Sequence, residues 1–386
     1  MNQLGHFIYH FSAVFSLLLL CAGNVQCGHR THQPVADIVS VDSLMNEAVA
    51  SGLIPGGVVC VTDAEHTLFL KAYGNRQVFP DTLPMTTETV FDLASLSKPV
   101  STAMCVFSLV ADGKLGLEDY VSKYVPQCTD SFNITHLLTH TSGLPPYLNV
   151  KHLQAHYGEA TPQALLDSIC RCPRIASPGQ KCRYSCLNFI MLQHVVQNIE
   201  GKPLCQVAEQ RVFAPLQMTH TCYMPDSAML PLVAPTEFTP DSVLLHGQVH
   251  DPLARVMNHG NSGNAGVFSC AEDLAKLARF LLDNKDDRYI RTLTSMPDSL
   301  AFSGRTLGWG HNDSITSYTG SLFGPDTYCH TGYTGTSMIV DPDAELALII
   351  LTNRVHPCDK GNLNPLRAAV ADAVMRQFSP ACRLSN

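Results

Sequence analysis

The sequence predicts an α+β fold in which helices flank one antiparallel sheet and a mainly helical region is inserted between its halves. Three observations carry this. Residues 57–62 and 67–73 are β-branched and aromatic runs separated by Asp63-Ala64-Glu65-His66, a hairpin signal. The pattern recurs near the other end, where residues 336–340 and 346–352 flank Asp341-Pro342-Asp343-Ala344-Glu345. Between them the apolar spacing is helical, so the two termini supply the sheet and the middle supplies helices.

The elements follow in order. Residues 41–51 read as a helix with Val41, Leu44, Met45 and Ala48 on one face, closed by Gly52. After the first hairpin, Val100, Ala103, Met104, Phe107 and Val110 recur at helical spacing, with Gly113 as the stop. Pro99 is tolerated only in a first turn, which places the start of this helix within residues 95–98. Helical spacing returns around Leu137-Leu138, at 165–169, 189–199 and 271–282, broken by turns such as Gly143-Leu144-Pro145-Pro146 and Ser177-Pro178-Gly179. A last helix over 365–378 presents Leu366, Val370, Val374 and Phe378 at steps of four. The sheet region therefore spans about 35–115 and 300–380, and the helical region about 116–299, with a cleft expected between them.

The chemistry concentrates in Ser95-Leu96-Ser97-Lys98. Residues three apart share a helix face. A hydroxyl attacks poorly at neutral pH unless a neighbour takes its proton, and a lysine can do so only if its pKa falls from about 10.4. The serine also stands at a positive helix end, where an oxyanion is stabilised. An N-cap serine followed by a solvated lysine is the structural alternative. Two further elements match what such a pair needs: Tyr184-Ser185-Cys186 after Ser177-Pro178-Gly179, and His330-Thr331-Gly332-Tyr333 just before the C-terminal hairpin.

With these motifs the chain resembles the serine β-lactamase and penicillin-binding protein family, in its class C, D,D-carboxypeptidase and esterase branch. Further matches are residues 135–145 (Thr-His-Leu-Leu-Thr-His-Thr-Ser-Gly-Leu-Pro), residues 264–269 (Asn-Ala-Gly-Val-Phe-Ser) with Asp273-Leu274-Ala275, and His330 to Ser337. Tyr73-Gly74-Asn75 and Tyr147-Leu148-Asn149 also spell Tyr-x-Asn, but only Tyr184 follows a Pro-Gly turn and precedes a helix. The resemblance implies a β-lactamase/transpeptidase-like fold and these roles: Ser95 as nucleophile, Lys98 and Tyr184 in proton transfer, and His330 orienting Tyr184 or a substrate carboxylate. The N–H groups of Ser95 and Tyr333 would form an oxyanion hole. Cys186, Thr331, Gly332 and Tyr333 would line the substrate, with Gly332 leaving room for it. Cys186 stands where the family has Asn or Asp, and His330 where many lactamases have lysine; a thiol hydrogen-bonds feebly and a neutral imidazole clamps a carboxylate weakly.

The resemblance implies a serine hydrolase of amide or ester bonds in peptidoglycan-derived peptides, by D,D-peptidase or muropeptide amidase action. β-Lactam or small-ester hydrolysis is the alternative on the same site, and an inactive binder of wall fragments or β-lactams the alternative of another class. A net charge of -8 and the lack of a dense Lys/Arg run exclude a nucleic-acid partner. The 17 His show no His-Glu-x-x-His pattern, so neither metal nor other cofactor is expected. An apolar block at 11–23 marks a signal peptide within residues 1–28, hence an exported protein; Cys21 and Cys27 raise lipid anchoring as a lesser option, with membrane attachment only in that case. Of the 15 Cys, Cys170, Cys172, Cys182 and Cys186 crowd together in sequence, a pattern open to a disulfide, to buried thiols, or to zinc.

Overall fold

The computed structural model describes residues 38–312, 317–359 and 361–378 of the 386. The apolar block at 11–23, the expected signal peptide, Cys21 and Cys27 lie outside the described residues.

In chain order, α1 (Val39–Ala50) leads into β1 (Gly56–Thr62), β2 (Thr67–Gln77), and the short β3 (Leu83–Pro84) and β4 (Phe91–Asp92). The helical portion comprises α2 (Met104–Ala111), α3 (Ile134–Leu138), α4 (Val150–Tyr157), α5 (Pro162–Arg171), α6 (Cys186–Glu200) and α7 (Leu204–Ala208). Then come β5 (Cys222–Tyr223), β6 (Val267–Ser269), α8 (Ala271–Asp283), α9 (Arg288–Thr294), β7 (Gly310–His311), β8 (Tyr328–Thr331), β9 (Ser337–Asp341), β10 (Leu346–Thr352) and α10 (Asn364–Phe378).

Seven strands form one sheet in the order β3-β2-β1-β10-β9-β8-β7, and every pairing in it is antiparallel. Strands from the two ends of the chain meet at its centre, where Val59 pairs with Ile350 on one side and with Lys71 on the other. All seven residues of β1 are buried, so its apolar run is continuous rather than alternating, as expected of a strand covered on both faces. Val58 and Cys60 point into the core shared with the helical portion, while Val59 and Val61 point toward α1 and α10.

A second, three-stranded sheet, β4-β6-β5, was not expected from the sequence. Strands of two or three residues are too short to show a period of two. This sheet positions the site, because β4 delivers the chain into Ser95 and β6 lies beside the residues that follow it. Residues 94–111 are apolar and long enough to cross a bilayer, yet 83% of them are buried in the protein, which makes the segment a core element. At the centre of the helical portion, α6 buries Leu187 through Val196 on all sides. The Ser185 hydroxyl caps its N-terminus by accepting from Leu187 N–H, and Gly201 closes it in the left-handed conformation.

Candidate active site

The approach to Ser95 is held from several directions. Asp92 is buried and accepts N–H bonds from Ala94 (2.8 Å) and His250 (2.7 Å), while its own carbonyl accepts from the Thr334 hydroxyl (2.7 Å). Ala94 takes a left-handed φ of 46°, a strained conformation for a residue with a Cβ, and it stands immediately before the nucleophile. Residues 94–96 make a single tight turn, and Lys98–Ala103 continue as a wide π turn before α2 begins at Met104. Pro99 brings no N–H to that first turn, so the helix opens irregularly there. β6 and the segment before it secure it: Val267 N–H donates to Ser97 Oγ (3.1 Å), and Thr102 Oγ1 donates to Gly263 O (2.8 Å).

This geometry brings Lys98 Nζ to 2.9 Å from Ser95 Oγ. The lysine is fully buried, and its ammonium also donates to Asn264 O (2.8 Å) and faces Cys186 Sγ at 3.7 Å. The sequence reading required a lysine with a lowered pKa, and the structure corrects it. Burial does push the Lys98 ammonium down, but Cys186, Tyr184 and Asp251 more than offset it and hold its pKa above the ordinary lysine value. Lys98 is therefore an ammonium that donates to Ser95, and a charged donor has no lone pair with which to take the serine proton.

Tyr184 is the group left for that task. Lys98 Nζ lies 5.0 Å from the centroid of its ring and the Arg305 guanidinium 5.3 Å, so two cations flank any charge that develops on the phenol oxygen. The Tyr184 hydroxyl is buried and makes no well-formed hydrogen bond to a described residue. The motif is carried by the loop of residues 139–146. Ser185 Oγ donates to Pro145 O (2.6 Å), Cys186 N–H to Pro146 O (2.9 Å), and Arg183 N–H to His140 O (2.9 Å). The His140 ring packs on Tyr184 at 4.4 Å between centroids, and its Nδ1 accepts from Ser185 N–H and Asn188 Nδ2. Gly143 lets this loop close: its φ is +79°, and a Cβ there would lie 2.0 Å from Ala176 O.

His330, on β8, completes the enclosure. Its ring is 6.1 Å from that of Tyr184, and Nδ1 donates to Thr331 O (2.8 Å), which leaves the lone pair of Nε2 buried and without a partner among the described residues. Burial, with Lys98 and Arg305 nearby, holds both His330 and His140 well below the usual histidine range, so both imidazoles are neutral. Positive charge for a substrate anion comes instead from arginines. Arg305, Arg354 and Arg367 line a pocket of about 430 Å³ together with Ser95, Tyr184, His330, Thr331, Gly332 and Tyr333. Burial lowers Arg367 to about 10, still a cation at neutral pH, and its Nε is buried without a partner among the described residues.

Of the eight residues singled out in sequence, the structure gathers Ser95, Lys98, Tyr184, Cys186 and His330 around one point and sets Thr331, Gly332 and Tyr333 along the pocket wall. The expected role of Gly332 changes. A Cβ on it would fall 2.2 Å from Leu93 O and 2.1 Å from Thr336 Oγ1, so the glycine lets β8 approach the backbone that leads to Ser95, rather than making room for substrate. Tyr333 N–H has no backbone acceptor among the described residues, and its ring stacks on His250 at 5.6 Å. Tyr147 has another function, donating to Asp251 Oδ2 (3.1 Å) and accepting from Leu253 N–H (3.0 Å). The four crowded cysteines do not converge on one point: Cys186 faces Lys98 and Cys182 faces Thr139 O, whereas Cys172 Sγ accepts from Arg174 at the end of α5.

Sequence profiles of the β-lactamase family match residues 41–373. This chain belongs to the β-lactamase family. It is a serine hydrolase of that family, with the β-lactamase/transpeptidase-like fold. A Salmonella schwarzengrund protein described as "Putative D-alanyl-D-alanine carboxypeptidase" is 32% identical over 335 residues, covering 77% of each chain. Among solved structures, EstCE1, "a hydrolase with promiscuous acyltransferase activity", superposes with a TM-score of 0.70 at 22% identity, over 87% of this chain and 97% of its own. A class C β-lactamase mutant gives 0.70 at 18% identity, over 91% of this chain and 100% of its own. At those identities the superpositions show the fold alone.

The family motifs led to Lys98, which donates to Ser95, and to Tyr184 and His330 in the same pocket, but not to Asp251 as an electrostatic partner of Lys98 or to the arginines. Asp251 Oδ1 accepts from Asn264 Nδ2 (3.1 Å), on the residue whose carbonyl receives Lys98. The stretch Val249-His250-Asp251 is the one local signal for it. Arg305, Arg354 and Arg367 come from three separate segments without a shared pattern.

Proposed function

We propose that this hydrolase cleaves amide or ester bonds through an acyl-enzyme on Ser95, acting on carboxylate-bearing peptides derived from peptidoglycan in the manner of a D,D-carboxypeptidase. One observation carries the reading: a serine in contact with a buried ammonium and faced by a phenol opens directly into a pocket walled by three arginines. Ser95 Oγ attacks the carbonyl as its proton passes to the Tyr184 oxygen and the proton Tyr184 already carries moves on to the leaving group, while the Lys98 ammonium stabilises the charge on both oxygens. Ser95 N–H and Tyr333 N–H receive the oxyanion. With the leaving group protonated through that relay, water then releases the acyl group by the same route in reverse. Arg305 holds a substrate carboxylate by charge-assisted hydrogen bonds, which a neutral His330 cannot supply, while Arg354 is paired with Asp359 and Arg367 donates to Gly332 O and Thr336 O behind it. The relative described as a carboxypeptidase supports this substrate class, and the apolar block at 11–23 supports action outside the cytoplasm.

The test is a product screen of D-Ala-D-Ala peptides, muropeptides, nitrocefin and p-nitrophenyl esters, with Ser95→Ala as control and penicillin labelling read by mass spectrometry. Release of D-alanine with a transient adduct on Ser95 is the expected result. Turnover of nitrocefin or esters alone moves the assignment to those substrates, a stable adduct without turnover makes the protein a binder, and a folded protein with no adduct on Ser95 overturns the mechanism.

A further inference from the structure

The turn between β8 and β9, residues 332–336, carries Tyr333 and is fastened at several points. Gly332 N–H donates to Thr336 O (2.8 Å) and Gly335 N–H to Gly332 O (3.1 Å), which closes the turn on itself. Thr334 Oγ1 donates to Asp92 O (2.7 Å) and Thr336 Oγ1 to Leu93 O (3.0 Å), so the turn is tied to the residues that lead into Ser95. A further support comes from Arg367 in the first turn of α10. This side chain is only 6% exposed; its Nη2 donates to Thr336 O (3.0 Å) and lies 3.4 Å from Gly332 O, and its Nη1 donates to Asn364 Oδ1 (3.1 Å). Among the described residues no carboxylate pairs with it, and its Nε has no partner.

A buried guanidinium is unfavourable unless strong acceptors meet it, and a carboxylate is the usual one. Arg367 directs its charge at carbonyls instead. Gly332 O and Tyr333 N–H belong to one planar peptide unit, with the oxygen and the hydrogen on opposite edges. A cation at the oxygen edge draws electron density across the amide and makes the N–H at the other edge a stronger donor, as in any chain of mutually polarised hydrogen bonds. Tyr333 N–H is the group in question: it has no backbone acceptor among the described residues, and Gly332 and Tyr333 share the pocket wall with Ser95 and Arg367. The Gly335 N–H on the same carbonyl acts in the same sense, without a full charge.

We propose that Arg367 is a positioning residue for the oxyanion hole, fixing the 332–336 turn and polarising the Gly332–Tyr333 peptide so that Tyr333 N–H binds the developing oxyanion more strongly than an ordinary amide does. The inference rests on the acyl-enzyme mechanism on Ser95 and adds a second cation to it. Lys98 acts directly on the attacking and proton-carrying oxygens, whereas Arg367 acts on the carbonyl oxygen through a peptide. Its effect is largest where that oxygen carries a full charge, in the tetrahedral state, and small for the bound ground state. It is also indifferent to a carboxylate elsewhere on the substrate, which is the concern of Arg305.

The experiment prepares the penicillin acyl-enzyme with an isotope-labelled acyl carbonyl, reads its stretching frequency by infrared difference spectroscopy, and pairs this with steady-state kinetics on acyl substrates with and without a terminal carboxylate. In the wild type the stretch should lie below that of the denatured acyl-enzyme. Arg367→Met should raise it toward the denatured value and lower kcat by about 10-fold or more for both substrate types, with KM nearly unchanged. Arg367→Lys, which keeps a cation, should recover most of both losses. Where Arg367→Met does not fold by circular dichroism, Arg367→Gln, which keeps an amide donor without the charge, takes its place with the same expectations. A fall in kcat with an unshifted stretch overturns the inference by making Arg367 a structural staple, and a rise in KM confined to carboxylate-bearing substrates overturns it by making Arg367 a substrate ligand. Folded wild type without an adduct on Ser95 overturns the acyl-enzyme mechanism and this inference together, whereas an adduct whose stretch is lowered equally in wild type and variants overturns this inference alone.

Discussion

Ser95 and Lys98 sit in a segment where backbone, hydroxyl and ammonium groups are bonded on several sides, whereas Tyr184, facing them, is surrounded by polar atoms without partners. Lys98 Nζ has three polar neighbours, and the residues before Ser95 are bonded to β6, His250 and Thr334. His330 Nε2 and His140 Nε2 are buried and unpartnered among the described residues, and the Tyr184 hydroxyl has only the Lys98 ammonium beside it, without a well-formed bond. Orphaned buried groups are unfavourable by about 1–3 kcal/mol each. The first region is therefore preorganised for one geometry, while the second completes its hydrogen bonds only with substrate or water. Nucleophile and ammonium are prepared by the fold, and the proton-transfer side is prepared for a ligand.

The largest test of this contrast removes the groups themselves. Ser95→Ala and Lys98→Ala should each lower kcat/KM by roughly 10⁴-fold or more, since such groups act as a unit. Tyr184→Phe should fall by about 10²–10⁴-fold, while Tyr147→Phe, which removes hydrogen bonds to Asp251 and Leu253, should remain within about 3-fold. Steady-state kinetics on the substrate found in the screen decide this, and an essential Tyr147 with a dispensable Tyr184 would reverse the assignment.

The neutral histidines give the contrast a pH signature. His140, His194 and His330 stay uncharged in the folded protein, with burial holding His194 down to about 4, yet all three take up protons when unfolded. Below a pH of about 6.5 the unfolded chain binds more protons, so stability is full above that value and falls as pH drops toward 4. The expected slope is about 1.4 kcal/mol per pH unit for each histidine in its window. Urea unfolding across pH 4–7 measures it, and a flat profile would mean these imidazoles are charged or solvated in the native state.

On the substrate side, Arg305→Gln should raise KM for carboxylate-terminated peptides by roughly 10-fold or more and leave the amidated peptides little changed, as loss of a charge-assisted bond predicts. An equal effect on both would assign Arg305 to Tyr184 alone. On the nucleophile side, Asp251→Asn removes one of the charges that raise Lys98. The alkaline limb of the kcat/KM profile, where the ammonium is lost, should then move to lower pH, and an unmoved limb would detach Asp251 from catalysis. The smallest effect belongs to Cys186→Asn, which replaces a feeble partner of Lys98 with an amide and should raise kcat only a few-fold; an unchanged or lower kcat would show the thiol to be neutral or adapted.

The two hairpins, the terminal helices and the helix after Ser95 were legible because their apolar residues repeat at periods that local backbone geometry imposes. The order Ser95, Lys98, Tyr184, Cys186, His330 was legible because each residue sits in a short motif with turn chemistry around it. The irregular start at Lys98–Ala103, the second sheet, and the true neighbours of Gly332 were not, since each depends on segments far apart in the chain.

The charge state of Lys98 shows the boundary most clearly. Sequence by itself determined that a serine and a lysine lie one turn apart on an apolar segment, because helical spacing is a local property. Whether that lysine is an amine or an ammonium was decided only by what the fold packs around it. Burial alone disfavours the ammonium, and Cys186, Tyr184 and Asp251, brought in from other segments, reverse the balance because Coulomb energy depends on distance in space and not on separation along the chain.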